Sequence, residues 1–186
     1  MRRVAVVMVL VGLVFTPAVW SGSLAGVTMS DTSKVGDTTL HLNGMGLRSK
    51  LWIKVYVAGL YVEQKSGSAD SLVNASGTKL IVMNFLTSKA NKKKMDGAWK
   101  EGFKANSPSN YKTLEPRVKK FMDLFGNLKD GDKVELTIVS GEGTHVAVNG
   151  KELGTIEGDD FGKALLLVWL GEEPPSDDLK SGLLGK

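Results

Sequence analysis

The residues best placed to do chemistry are Arg48, Trp52, Lys54 and Tyr56, which recur at even spacings in Leu47–Val62, a run rich in β-branched and aromatic residues. Along an extended strand side chains alternate between faces, so this spacing sets all four on one face and Leu51, Ile53, Val55 and Val57 on the other. A guanidinium is a planar two-pronged donor suited to a carboxylate, and aromatic rings suit an apolar body. A ligand with a carboxylate and an apolar body would suit such a face. A plainer reading pairs Arg48 with an acid on a solvated sheet face, and on pattern alone the two stand level.

Other chemistries have less to work with. The only histidines, His41 and His145, lie in strand-like surroundings without a second ligand at i+2 or i+4, so no metal site is expected. There is no cysteine and no Gly-x-Ser-x-Gly elbow, which removes the common nucleophile schemes. Gly44-Met45-Gly46 precedes a strand and Gly141-Glu142-Gly143 joins two, so both read as turns and not as phosphate cradles. The adjacent acids Asp159 and Asp160 open a helix and read as its cap and dipole partners.

The elements that must position these groups follow from periodicity. Thr38–Leu42 reads as a first strand and Leu47–Val62 as a second, separated by a glycine-rich corner; Lys79–Leu86 reads as a third, after a polar linker over Lys65–Thr78. Beyond Thr87 the period changes to 3.6, with Met95, Ala98, Trp99 and Phe103 on one helical face. A second helix carries Leu114, Val118, Phe121, Met122 and Phe125. Val134, Leu136 and Ile138 alternate as a strand, and Asn149-Gly150 suits the positive φ angles of a type I′ turn between two more. A helix with the stripe Phe161, Ala164, Leu165, Val168 and Trp169 follows, and Ser176 caps a short last one over Asp177–Leu184. Strands, two helices, strands and helices predict an α+β domain with an antiparallel sheet and helices gathered on one face.

The N-terminus has the order of a secretory signal: Arg2 and Arg3, an apolar run over Val4–Phe15, Thr16-Pro17, then Ser23-Leu24-Ala25 as the cleavage triplet. Residues 1–25 are read as this signal, 26–36 as a flexible mature N-terminus and 37–186 as the domain. An uncleaved membrane anchor is the competing reading, because Val4–Trp20 approaches the ~20 residues that span a bilayer; Gly12, Pro17 and the polar run after them favour cleavage. Export places the mature chain in a periplasmic compartment, in contact with membrane only through the signal. Loss of Arg2 and Arg3 lowers the formal charge of +4 to about +2, too little to argue for nucleic acid.

Gly44-Met45-Gly46-Leu47-Arg48, Lys54-Val-Tyr-Val-Ala-Gly-Leu-Tyr-Val62 and the ending from Asn149-Gly150-Lys151 to Leu170-Gly171 together resemble the chalcone isomerase-like family, and most its bacterial exported branch. The resemblance covers about residues 36 to 185. It implies an open-faced β-sandwich, a large antiparallel sheet with a helical layer on one face and a ligand cleft between them. The family includes plant isomerases that close a chalcone, plant relatives that bind fatty acids without catalysis, and fungal mitochondrial relatives associated with haem, so membership alone does not settle activity.

The family's arginine, which activates substrate in the enzymes and meets the carboxylate in the binders, falls on Arg48. A catalytic threonine falls on Tyr56, a tyrosine and an asparagine fall on Asn91 and Ala98, and a further hydroxyl residue falls on Gly162. Losing these polar groups removes the means of orienting a phenolate and its acceptor. The resemblance therefore implies a non-catalytic binder of an amphipathic carboxylate such as a fatty acid, with Arg48, Trp52, Tyr56 and Asn91 as ligand-binding residues and no cofactor. An isomerase or intramolecular lyase on another substrate, a haem or porphyrin binder with propionates on Arg48, and a protein-binding module are the alternatives.

Overall fold

A computed structural model describes residues 21–186; most of the expected signal, residues 1–20, lies outside them. Seven strands form one antiparallel sheet in chain order: β3 Thr32–Val35, β4 Thr38–Lys50, β5 Ile53–Val62, β6 Lys79–Phe85, β7 Lys133–Val139, β8 Gly143–Val148 and β9 Lys151–Ile156. Helix α1 (Ala69–Asn74) joins β5 to β6, α2 (Lys92–Asn106) and α3 (Tyr111–Asp123) join β6 to β7, and α4 (Asp159–Leu170) and α5 (Asp177–Leu183) follow β9. The α+β fold with helices on one face is as the sequence implied. Asn149 and Gly150 both take positive φ and close the β8–β9 hairpin.

The main core lies between sheet and helices. Tyr56, Ala58, Leu60, Ile81, Met83 and Leu136 from the strands meet Trp99, Phe103, Phe121 and Trp169 from the helices. A smaller core covers part of the opposite sheet face, where Leu40, Leu42, Val57, Tyr61, Leu80 and Val82 pack under Met29.

That second core draws in the N-terminal segment. Residues 26–36, expected to be flexible, contain β2 (Val27–Ser30) and β3. Ser21–Leu24, expected to leave with the signal, form β1, which pairs with β2 in register from Ser21↔Ser30 to Leu24↔Val27. Positive φ at Ala25 and Gly26 closes this hairpin. Its short, polar-looking strands have no periodicity of their own, and the contact with the sheet is what gives them a buried side. The Tyr61 hydroxyl donates to Ser30 O at 2.8 Å and fixes the hairpin to the sheet.

Two further elements differ from the sequence reading. The linker over Lys65–Thr78 contains α1, which Ser68 caps through Ser71 N and which buries Leu72 and Val73. Gly44-Met45-Gly46 is not a corner but lies inside β4, where α5 packs on bare backbone. A Cβ at Gly46 would stand 2.7 Å from Leu179 Cδ1, and one at Gly44 would stand 2.9 Å from Leu183 O. Between Leu42 and Gly44 a bulge leaves Asn43 unpaired in the ladder, and its side chain ties Ser66 to Leu183 O.

Candidate functional site

The chain reverses inside Leu47–Val62. Leu51 and Trp52 form the turn between β4 and β5, Lys50 pairs with Ile53, and Arg48 stands opposite Tyr56 across the ladder. The single strand of the sequence reading is therefore a hairpin, because Leu-Trp gives no turn signal. Arg48 and Tyr56 remain neighbours on the helix side, while Trp52 is carried to the tip, 85% exposed. Asn91 is elsewhere again: it is the N-cap of α2, and its side chain accepts from Lys94 N at 3.1 Å. Of the four expected ligand-binding residues the fold brings two together.

Arg48 is half-buried at the margin of the sheet–helix interface. Its Nη1 donates to Pro175 O at 2.5 Å and to Ser49 O at 2.9 Å. No carboxylate among the described residues forms an ion pair with it. The cation is held against two carbonyl dipoles, and neither Nε nor Nη2 has a hydrogen-bond partner among the described residues. The plainer reading, an arginine spent on an acid, does not describe it.

Tyr56 is buried beside it, and its hydroxyl oxygen accepts from Trp169 Nε1 at 3.1 Å. Burial pushes the phenol up to about 12, against smaller downward pulls from the Trp169 hydrogen bond and the nearby Arg48 charge. It is a neutral hydroxyl at physiological pH. The segment over Arg48 is held at two points, since Asn106 donates to Glu173 O and accepts from Glu173 N, both at 2.9 Å, and Arg48 holds Pro175. Trp169, Asn106 and Pro175 were absent from the sequence reading as site residues. Trp169 reads as one more core position in a helical stripe, and a proline carbonyl acceptor leaves no mark in a pattern of side chains.

The other positions inherited from the family offer no polar group here. Ala98 lies on the exposed side of α2. Gly162 packs in α4 against β7, where an added Cβ would come within 2.7 Å of Ile138 Cγ2. The paired acids are not caps: Gly158 is the N-cap of α4, Asp160 grips Arg117 through two hydrogen bonds, and Asp159 accepts from Gly141 N.

Two hollows lie away from Arg48. One, of about 560 Å³, is on the sheet face opposite the helices, where the sheet curls the β3–β4 turn toward β7–β9; Thr38, Thr137, His145, Ala147 and Glu152 line it. Its His145 Nδ1 lies 3.0 Å from Thr155 Oγ1, with Glu152 at 3.6 Å and Glu142 3.7 Å from Nε2. Among the described residues no three such groups are arranged to hold a metal ion. The second, about 160 Å³, is bounded by Val73, Lys79, Ser140, Asp159 and Lys163.

No curated protein shows significant sequence similarity to the chain. Among solved structures, the fatty-acid binding protein of Arabidopsis thaliana is similar, with a TM-score of 0.70 at 20% identity over 89% of this chain and 96% of that one. At that identity the likeness is one of fold. A family model described as chalcone isomerase-like matches residues 21–185, both sheet faces and every described helix included, and the chain belongs to that family.

Proposed function

We propose that the protein is a non-catalytic binder of an amphipathic carboxylate, with Arg48 as the headgroup anchor and Tyr56 beside it. The observation that carries this reading is the half-buried Arg48 guanidinium without an acidic partner, braced on the carbonyls of Ser49 and Pro175. A carboxylate competes for the donors that Pro175 O now takes. The exchange would release the Pro175 end of the Glu172–Ser176 segment, which Asn106 still holds at Glu173, and admit the apolar tail at the edge of the aromatic core. The fatty-acid binding protein of similar fold favours an acyl chain as that tail.

Catalysis has little support at this site. The Tyr56 phenol is held neutral, Asn91 is spent on a helix cap, and Ala98 and Gly162 carry no polar side-chain atom. A haem would find no histidine beside Arg48: His41 is seven residues along β4 and His145 faces the other side of the sheet. Export to a periplasmic space, argued from Arg2, Arg3 and the apolar run after them, belongs to the same reading.

Titration calorimetry of a long-chain fatty acid into wild type and Arg48→Ala tests the anchor. Loss of a charged hydrogen bond worth roughly 1.5–3 kcal/mol raises Kd about ten-fold or more. Arg48→Lys restores this only in part, because it keeps charge and loses the fork. Equal affinity in wild type and Arg48→Ala, with both melting alike, overturns the reading.

A further inference from the structure

Among the described residues two large apolar side chains stand in water, and they are neighbours: Leu51, 80% exposed, and Trp52, 85% exposed, at the β4–β5 tip. The turn makes this choice costly. Two residues close the hairpin, and Leu51 takes φ 57°, the left-handed region where glycine or asparagine rests easily and a bulky aliphatic is strained. At Asn149-Gly150 the same chain meets the same task with the favoured pair. At 51–52 it keeps instead two side chains whose preferred surroundings are not water.

The charge around the tip has one sign. From Thr38 to Val62 the β4–β5 ribbon contains Arg48, Lys50 and Lys54 and no aspartate or glutamate. Lys50 and Lys54 are both exposed, one on each strand beside the turn. Tryptophan favours the boundary between headgroups and acyl chains, and lysines next to it pair with anionic headgroups. Two side chains at a two-residue turn reach no deeper than that boundary, and no described helix is long and apolar enough to cross a membrane.

We propose that the β4–β5 tip docks the protein on an anionic phospholipid bilayer, with Leu51 and Trp52 entering the interface and Lys50 and Lys54 contacting lipid phosphates. The proposal stands apart from the carboxylate reading, since it uses side chains that point away from the helices' core and needs no ligand. A docked tip would nevertheless set Arg48, three residues from Leu51, close to the bilayer surface.

The test uses the full chain with vesicles of equal parts phosphatidylglycerol and phosphatidylcholine carrying bromine on their acyl chains. Subtracting the emission of Trp52→Phe isolates the signal of Trp52. A chain held to the vesicle by another segment leaves Trp52 unquenched, so the readout is local. On these vesicles the Trp52 emission moves to the blue and is quenched; on pure phosphatidylcholine it does neither. Lys50→Gln with Lys54→Gln raises the lipid concentration for half-quenching at least ten-fold, from roughly five-fold per lysine. Leu51→Asn, which the turn accepts, also weakens quenching. Unshifted, unquenched Trp52 emission on the anionic vesicles overturns the proposal. So does shielding of Trp52 from acrylamide in vesicle-free solution, which would give the tip to a second copy of the chain.

Discussion

Toward the helices β5 presents Tyr56, Ala58, Leu60 and Val62, and toward the other side Val57, Gly59 and Tyr61. The first row meets a continuous aromatic layer. Trp99 stands edge-on to Trp169 at 5.4 Å and to Phe121 at 5.1 Å, and Phe121 stands edge-on to Phe125 at 5.0 Å. The second row meets only the β1–β2 hairpin, and farther along the same face His145 and Thr137 border an open hollow. The helix side is thus closed by large rings from three helices and the open side by one thin ribbon. The middle of the helix side is filled, and its margin is where Arg48 and the Glu172–Ser176 segment lie.

The contrast is sharpened most by removing a ring. Trp169 is 1% exposed, touches Trp99 and donates to Tyr56. Trp169→Ala leaves a cavity between α2, α4 and β5 and an unpaired, buried phenol, and should lower unfolding free energy by about 3–5 kcal/mol. Urea denaturation followed by circular dichroism measures this. A loss below about 1 kcal/mol would mean that the helical layer collapses easily onto the sheet and is not the rigid half of the molecule.

The next effect appears with pH. The Tyr56 phenol is raised from its ordinary 10.0 to about 12, so the folded state holds its proton more tightly than the unfolded state. Its contribution is present in full below pH 10 and is lost as pH climbs toward 12, an effect of roughly 2–3 kcal/mol. Tyr56→Phe should flatten that decline without abolishing it, since burial also raises Tyr61. Stability measured at closely spaced pH values separates the two curves. If they run parallel from pH 10 to 12, water reaches Tyr56 and the helix side is less closed than its packing indicates.

How much of this was legible in the sequence depended on whether a signal was carried by one residue or by two surfaces meeting. Asn149-Gly150 announced its turn because both residues tolerate positive φ. Leu51-Trp52 could not, since a leucine at φ 57° is chosen against local preference, and the strand pattern ran straight through it. Gly44 and Gly46 were visible as glycines, but their use, letting α5 rest on β4 backbone, depends on a helix at the far end of the chain. The hairpin β1–β2 lay inside what reads as leader and tail, and only contact with Leu42, Met45 and Gly59 gives it a buried side. Within the site, Arg48 and Tyr56 were legible from type and spacing; the carbonyl of Pro175 and the cap role of Asn91 needed the fold.

The smallest predicted effect tests the open side directly. Met29 is the buried centre of the hairpin, 5% exposed, and its thioether rests on bare Gly59 backbone, where an added Cβ would collide with Sδ. A methionine cut to alanine in a rigid core costs about 2–5 kcal/mol, with the low end at sites that can collapse. Here the cover is a two-stranded ribbon tied down by the Tyr61–Ser30 hydrogen bond and a few apolar contacts, so it can settle toward the sheet. Met29→Ala should therefore cost about 1–2 kcal/mol in the same urea assay used for Trp169→Ala. Faster amide exchange confined to Ser21–Ser30 and the facing stretch of β4 and β5 should accompany it, because local opening precedes global unfolding where contacts are few. A cost of 3 kcal/mol or more would break the comparison: the hairpin would then be a second rigid core, and the two faces of the sheet would differ in size but not in kind.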